Sequence, residues 1–265
     1  MTLYTQTSGS GPDLVLIHGW GLHSGIWDGL LPLLEPHYRV IRVDLPGHGR
    51  SPWDGAGTLD DMVRAVLAVV PERASWAGWS LGGLVALRAA LLQPASVAAL
   101  ALIASSPCFT RKPDWQSAML PELLETFAAD LEQDYQRTLN RFLALQVRGA
   151  VQATEALKSL RATLHAGGPP QLAGLRAGLD VLRSTDLRGE AALLQCPALL
   201  LMGERDTLVP CSAGQAAARL FPDAQLTVVD AAGHAPFISA PDSVANTLHS
   251  FLKDTHTSPV SNPHA

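Results

Sequence analysis

Ser80, Asp206 and His234 occur in the chain order nucleophile, acid, base, and each stands in a context suited to nucleophilic acyl transfer. Ser80 is the centre of Gly78-Trp79-Ser80-Leu81-Gly82-Gly83. An apolar run, Ala74 to Ala77, precedes it and suits a short buried strand; Leu84 to Leu92 follows and suits a helix. A serine on a sharp strand-to-helix turn has its hydroxyl at a helix N-terminus, where N–H groups and the helix dipole favour developing negative charge. The flanking glycines let neighbouring backbone pass where a Cβ would clash. A serine hydroxyl is a weak nucleophile at neutral pH, so it needs a base in hydrogen-bond reach and a third group to orient that base.

In a parallel α/β sheet, active groups collect at the C-terminal ends of the strands. Asp206 follows the apolar run Ala198 to Met202, and His234 follows Gln225 to Val229. Of the nine histidines, only His234 lies late in the chain just after a strand and a glycine; His37, His165, His249, His256 and His264 fall on helices, junctions or the tail and read as surface residues. Asp186 and Asp230 compete for the acid's role and rank below Asp206. The first lies at the return from a helical insertion, and the second is too near His234 in sequence. An oxyanion would need two backbone N–H donors, expected from Leu81, after the nucleophile, and from Trp20, in the loop after an early strand. His18-Gly19 would hold that loop in shape; structural support outweighs a role for His18 as a second base. The loop Asp44 to Ser51 reads as a structural turn.

The elements that must position these residues are an alternation of buried strands and helices. Leu14 to Ile17, Tyr38 to Val43, Ala74 to Ala77 and Ala98 to Ala104 are strand-like; Leu3 to Thr7 alternates and suits an edge strand. Ile26 to Leu34 suits a helix, and Thr58 caps another over Leu59 to Val70, with Asp60 and Asp61 in its first turn. The expected architecture is α/β, a mainly parallel, doubly wound sheet. From Phe109 to Ser184 no strand-like run occurs. Helical periods instead cover Leu120 to Leu131, Tyr135 to Val147, Val151 to Leu164 and Pro170 to Leu182. The α/β pattern resumes at Cys196-Pro197, continues with a helix over Ser212 to Leu220 and closes with one over Pro241 to Lys253. The expected organisation is a core over 1–108, an all-helical cap over 109–184, the second part of the core over 185–253, and a disordered tail over 254–265.

Composition sets the broad class. With 265 residues, 47% hydrophobic and 16% charged, the chain can bury a large core. A formal net charge of −5 gives no reason to expect nucleic acid. The most apolar window, Leu81 to Ala104, is interrupted by Arg88 and Gln93-Pro94, so no membrane span is expected. Cys108, Cys196 and Cys211 are too few and too scattered for a disulfide framework or a metal site. Met1 to Gly11 lacks the basic and apolar regions of a signal peptide. A reduced, cytoplasmic setting and a monomer are the expectations; neither metal nor organic cofactor is implied.

His18-Gly19-Trp20-Gly21, Asp44-Leu45-Pro46-Gly47-x-Gly49-Arg50-Ser51, the turn at Ser80, Gly203-x-x-Asp206 and Gly233-His234-Ala235-Pro236-Phe237 together resemble the α/β-hydrolase superfamily, across nearly the whole chain. Narrower stretches are Gly78 to Ala86, Ala104 to Phe109, Gln136-Arg137-Thr138, Arg141 to Gln146 and His234 to Ser239. They are similar to the carboxylesterases of biotin synthesis, which hydrolyse the methyl ester of pimeloyl-[acyl-carrier protein]. The resemblance implies an α/β-hydrolase fold and a serine carboxylesterase. It also implies a substrate slot formed by Trp20, Trp79, Ser80, Leu81, Phe142, Leu143, Ala144, Leu145, Gln146 and His234. The partner implied is an acyl-carrier protein, met by Arg137, Arg141 and Lys158 of the cap, which also carries Arg148 and Arg161. A cap position expected to be basic is Thr154 here. A short-chain esterase, a lactonase or a C–C hydrolase would share the triad, so only the cap discriminates among them. Epoxide hydrolases and haloalkane dehalogenases place an aspartate where this chain has Ser80. A non-catalytic binding module would have no use for Ser80, Asp206 and His234 together.

Overall fold

A computed structural model describes residues 2–151 and 153–257. Seven strands of the described residues form one sheet: β1 (Thr5–Gly9), β2 (Asp13–Ile17), β3 (Arg39–Val43), β4 (Ala74–Trp79), β5 (Val97–Ile103), β6 (Ala198–Gly203) and β7 (Ala224–Val229), in the order β1-β3-β2-β4-β5-β6-β7. Only β1 runs antiparallel, paired to β3 at the edge. Strands β4 and β6 are buried at every position, as the continuous apolar runs require of strands covered on both faces. The edge strands β1 and β7 are largely half-buried or exposed, with Val229 of β7 buried.

The helices are α1 (Leu31–Leu34), α2 (Leu59–Leu67), α3 (Leu81–Leu92), α4 (Pro121–Gln133), α5 (Tyr135–Gln146), α6 (Ala153–Ala166), α7 (Leu172–Ser184), α8 (Cys211–Ala218), α9 (Pro236–Ser239) and α10 (Pro241–Thr257). Helix α3 is buried along nearly its whole length against β4 and β5, and α2 packs on its far side. Thr58 and Asp61 close a capping box at the start of α2. Helices α4 to α7 lie between β5 and β6. α4 packs on both α5 and α7, and α5 on α6; α7 rests on α3, and α6 on α9 and on the turn Ser24–Trp27.

Three expectations change. The helix expected over Ile26 to Leu34 is a 3₁₀ turn at Ser24–Trp27 and a single α turn at Leu31–Leu34, because Gly29 interrupts it and Pro32 restarts it. Helix α2 stops at Leu67, short of Val70. The closing helix runs through Thr257, four residues beyond Lys253, so the tail expected from 254 begins inside it, and 258–265 lies outside the described residues.

The sheet order explains the site. From β2 the chain moves outward to β3 and then returns to β4 on the other side. Loops leaving β2 and β4 therefore diverge, and a crevice opens between them at the strand C-termini. Ile17 lies beside Gly78 in register, which brings the Trp20 loop and the Ser80 turn together.

Candidate active site

Ser80 takes φ 54° and ψ −116°, left-handed backbone that a side chain adopts only under constraint. The constraint is explicit. Its N–H donates to the Ile103 carbonyl at 3.0 Å, and its carbonyl accepts from the Ser105 hydroxyl at 2.8 Å and the Gly83 N–H at 2.9 Å. A Cβ at Gly78 would run into the Gly82 carbonyl, and one at Gly82 into the carbonyls of Ile17 and His18. These two glycines are thus required by the close approach of β2, β4 and α3.

The Ser80 hydroxyl lies 2.9 Å from His234 Nε2, and His234 Nδ1 lies 2.7 Å from Asp206 Oδ2. A carboxylate only accepts, so Nδ1 carries the proton and Nε2 is left as the acceptor for the serine O–H. The other carboxylate oxygen, Asp206 Oδ1, accepts from the N–H groups of Leu208 at 2.8 Å and Val209 at 2.9 Å. His234 and Asp206 side chains are 1% and 0% exposed, so the relay is shielded from bulk water. Among the described residues, the backbone N–H groups of Trp20 and Leu81 donate to nothing. They are available at the mouth of the turn.

The ring of His234 is held by its own main chain. Its N–H donates to the Gln146 carbonyl at 2.9 Å, and its carbonyl accepts from the Trp79 indole N–H at 2.7 Å. On the opposite wall the Trp20 indole donates to the Leu175 carbonyl at 2.8 Å and meets the Phe142 ring edge-on at 4.8 Å. His18 is fully enclosed. Its Nε2 accepts from the Leu45 N–H at 2.9 Å, and its Nδ1–H donates to the Gly19 carbonyl at 2.8 Å. Burial, reinforced by neighbouring His48, pushes its pKa down to about 3, so it is a neutral strut. Asp44 serves the same loop, accepting from the N–H groups of Ser24 and Arg50.

An acid–imidazole–hydroxyl relay recurs on several unrelated folds, so the relay alone does not decide the family. The model of the alpha/beta hydrolase family matches residues 14–247. This chain belongs to the alpha/beta hydrolase family. Within it, the pimeloyl-[acyl-carrier protein] methyl ester esterase of Xanthomonas campestris pv. campestris (strain B100) is 46% identical over 250 residues, covering 94% of this chain and 98% of its own. The protein of the same name from Methylococcus capsulatus is 44% identical over 252 residues, 95% of this chain and 99% of its own. An esterase from Exiguobacterium antarcticum shares the fold, with a TM-score of 0.85 at 23% identity and 95% of each chain covered.

For this alpha/beta hydrolase, Ser80, Asp206, His234, Trp20 and Leu81 converge, and Phe142 and Gln146 reach the same place from α5. Leu143 is buried and Leu145 half-buried. Ala144, expected in the slot, is exposed: it stands about 200° round the helix from Phe142. Asp186 pairs with Arg188 at 2.8 Å and Asp230 is exposed, so neither competes with Asp206. Arg141 is engaged by Asp130 and lies over the Phe127 ring at 5.1 Å. Arg137, Lys158 and Thr154 are exposed. Trp79 and Gln146 are expected only as lining of the slot; sequence reasoning missed the hydrogen bonds made by the Trp79 indole and the Gln146 carbonyl, and also the Leu208 and Val209 N–H groups, Ser105 and the Leu175 carbonyl. Each acts through a contact between distant or backbone groups that carries no local signature.

Proposed function

We propose that this protein is a serine carboxylesterase that hydrolyses the methyl ester of pimeloyl-[acyl-carrier protein] to the free acid and methanol. The chemistry rests on the continuous hydrogen-bonded relay from Asp206 through His234 to Ser80. The substrate rests on relatives of that name, 43–46% identical over more than nine-tenths of the chain.

In this reading Ser80 Oγ attacks the ester carbonyl while its proton passes to His234 Nε2. The oxyanion is received by the N–H groups of Trp20 and Leu81, at the N-terminus of α3, where the helix dipole adds to the donors. His234 returns the proton to the departing methoxide, methanol leaves, and Ser80 holds the acyl group. A water that gives a proton to His234 then attacks this ester, and collapse releases the acid and restores Ser80. Asp206 keeps Nδ1 protonated and stabilises the imidazolium each time it forms. Protein groups and water suffice for every step.

Helices α4 to α7 act as the cap that roofs Ser80. Arg137 and Lys158 are exposed cations with no side-chain ion-pair partner among the described residues, and they face the acidic carrier. The protein works as a cytoplasmic monomer; among the described residues no helix is long and apolar enough to cross a membrane.

The test has two parts. A fluorophosphonate should label the protein, and Ser80→Ala should abolish labelling; labelling that persists in Ser80→Ala removes Ser80 as nucleophile. Release of free acid from the carrier-bound methyl ester should exceed that from the same acyl methyl ester without carrier. Equal efficiency on the two removes the carrier from the reading.

A further inference from the structure

Helix α7 carries glycines at 174 and 178, and neither takes left-handed backbone. Glycine weakens a helix interior relative to alanine, so these positions answer to close contact rather than to conformation. Gln171, Gly174, Leu175 and Gly178 are spaced i, i+3, i+4 and i+7 and share one face. That face is seated on the core. The Gln171 N–H donates to the Gly47 carbonyl at 2.8 Å, and a Cβ on Gly174 would lie 2.7 Å from the Gly47 Cα. Arg176, on the outer face, pairs with Glu132 of α4.

The same face meets both residues whose main-chain N–H groups are available at the Ser80 turn. The Leu175 carbonyl accepts from the Trp20 indole at 2.8 Å. One turn on, a Cβ at Gly178 would lie 2.6 Å from Trp20 Cδ1 and 3.1 Å from Leu81 Cδ2. Trp20, Leu81 and Leu175 are each 1% exposed or less, so these contacts are enclosed. Phe142 closes another edge of the indole, and a Cβ at Gly19 would come within 2.9 Å of the Trp79 ring. The Trp20 loop is therefore held between the end of β4 and α7, and a single helix position, Gly178, borders the side chains of Trp20 and Leu81 alike. An oxyanion is stabilised only by donors about 2.7–3.1 Å from where its charge develops, so a small displacement of either residue matters.

We infer that Leu175 and Gly178 are positioning residues: through the Trp20 indole they fix the direction of the Trp20 N–H, and with it the spacing of the two oxyanion donors. The inference rests on the esterase reading, in which Trp20 and Leu81 receive the oxyanion. Helix α7 then works with the catalytic core, although in sequence it belongs to the helical insertion.

The experiment compares wild type with Gly178→Ala, Trp20→Phe and the double variant, on a short aryl ester and with a trifluoromethyl ketone as inhibitor. Ser80 Oγ adds to the ketone carbonyl carbon, its proton passes to His234, and the former carbonyl oxygen becomes an anion at the oxyanion position. Gly178→Ala puts a methyl where the indole must yield; Trp20→Phe keeps a ring but removes the N–H bonded to Leu175. Each single variant should lower kcat about tenfold, short of the ~10²–10³ of losing a whole donor, and weaken ketone binding by a similar factor, with KM within about twofold. In the Trp20→Phe background the smaller ring leaves room, so Gly178→Ala should cost less than about threefold more. Unchanged kcat, a loss carried by KM alone, undiminished ketone affinity or fully additive losses would each overturn the inference. Should Gly178→Ala not fold, Trp20→Phe decides it by kcat and ketone affinity. Wild type that neither cleaves the ester nor binds the ketone would remove the esterase reading itself; wild type that does both, with insensitive variants, removes only the role given to α7.

Discussion

The N–H of His234 donates to the carbonyl of Gln146 at 2.9 Å, so the proposed base and the last residue of α5 share a main-chain bond. Gly233 makes this approach possible: a Cβ there would lie 2.9 Å from the same carbonyl oxygen. The position of the imidazole is thereby coupled to the seating of α5. The end of α5 thus helps hold the proposed base in place.

Gly233→Ala tests that coupling. The added methyl must push the Gln146 carbonyl away and weaken its bond to His234. We expect kcat on a short ester to fall about tenfold or more, the loss expected when a base shifts by a fraction of the near-attack distance. Circular dichroism should show the fold retained. Undiminished kcat would show that the bond does not position the base.

Trp79→Phe keeps a large ring in a fully buried site but removes the indole N–H that the His234 carbonyl accepts at 2.7 Å. A buried carbonyl left unpaired costs about 1–3 kcal/mol. Both the urea midpoint and kcat should drop, with KM little changed. A loss of stability with kcat intact would mean that Trp79 contributes packing alone.

Asp206→Asn has a defined outcome because one side of the carboxylate is already committed. The N–H groups of Leu208 and Val209 require an oxygen at the Oδ1 position, so the amide NH₂ must face His234 Nδ1. Nδ1 then accepts, the ring proton moves to Nε2, and the ring cannot take the Ser80 proton. A fall of about 10⁴ in kcat is expected, as for the same change in serine-protease triads. A rate within tenfold of wild type would remove Asp206 from the relay.

The buried His18 gives a pH signature in stability. Its pKa falls from an ordinary value near 6.5 to about 3 in the folded chain, first through burial and then through His48. Between those values the unfolded chain binds a proton that the folded chain refuses. Stability therefore drops as pH falls from about 6.5 towards 3, by up to ~1.4 kcal/mol per pH unit. His48, lowered chiefly by burial, acts with the same sign. Urea midpoints from pH 7 down to pH 4.5 should decrease steadily, and His18→Asn should make the slope shallower. A flat profile in wild type would contradict the buried neutral imidazole.

Much of the site was legible because it sits where strands end. An apolar run followed by Gly-x-Ser-x-Gly marks β4 and its turn, and Asp206 and His234 each follow a short apolar run and a glycine. What joins them was not legible. The Trp79 indole bonds a carbonyl 155 residues away, and no periodicity records such a contact. The segment Phe142 to Gln146 reads as one block, yet a helix turns about 100° per residue, so Ala144 must leave the face that Phe142 and Gln146 share. Charge pattern likewise shows that Arg141 is a cation, but not that Asp130 on the preceding helix claims it. Nor does the run Ile26 to Leu34 reveal that Gly29 and Pro32 divide it into two short turns.

The cap cations should therefore separate into two kinds. Arg141 is paired with Asp130 and lies on Phe127, so Arg141→Ala should lower stability by about 1 kcal/mol, from a half-exposed ion pair and a cation–π contact. Arg137 and Lys158 are exposed and unpaired among the described residues, so their charge is free to meet an acidic carrier. Arg137→Glu and Lys158→Glu should lower kcat/KM on the carrier-bound ester about fivefold to tenfold relative to a short ester. The deficit should shrink as salt rises from 0.05 to 0.5 M, because exposed charges are screened beyond a Debye length of about 10 Å near 0.1 M. Measured under the same conditions, the thermal midpoint should move for Arg141→Ala and stay nearly fixed for the other two. Equal, salt-independent losses in all three would mean that these residues act through the stability of the cap rather than by attracting the carrier.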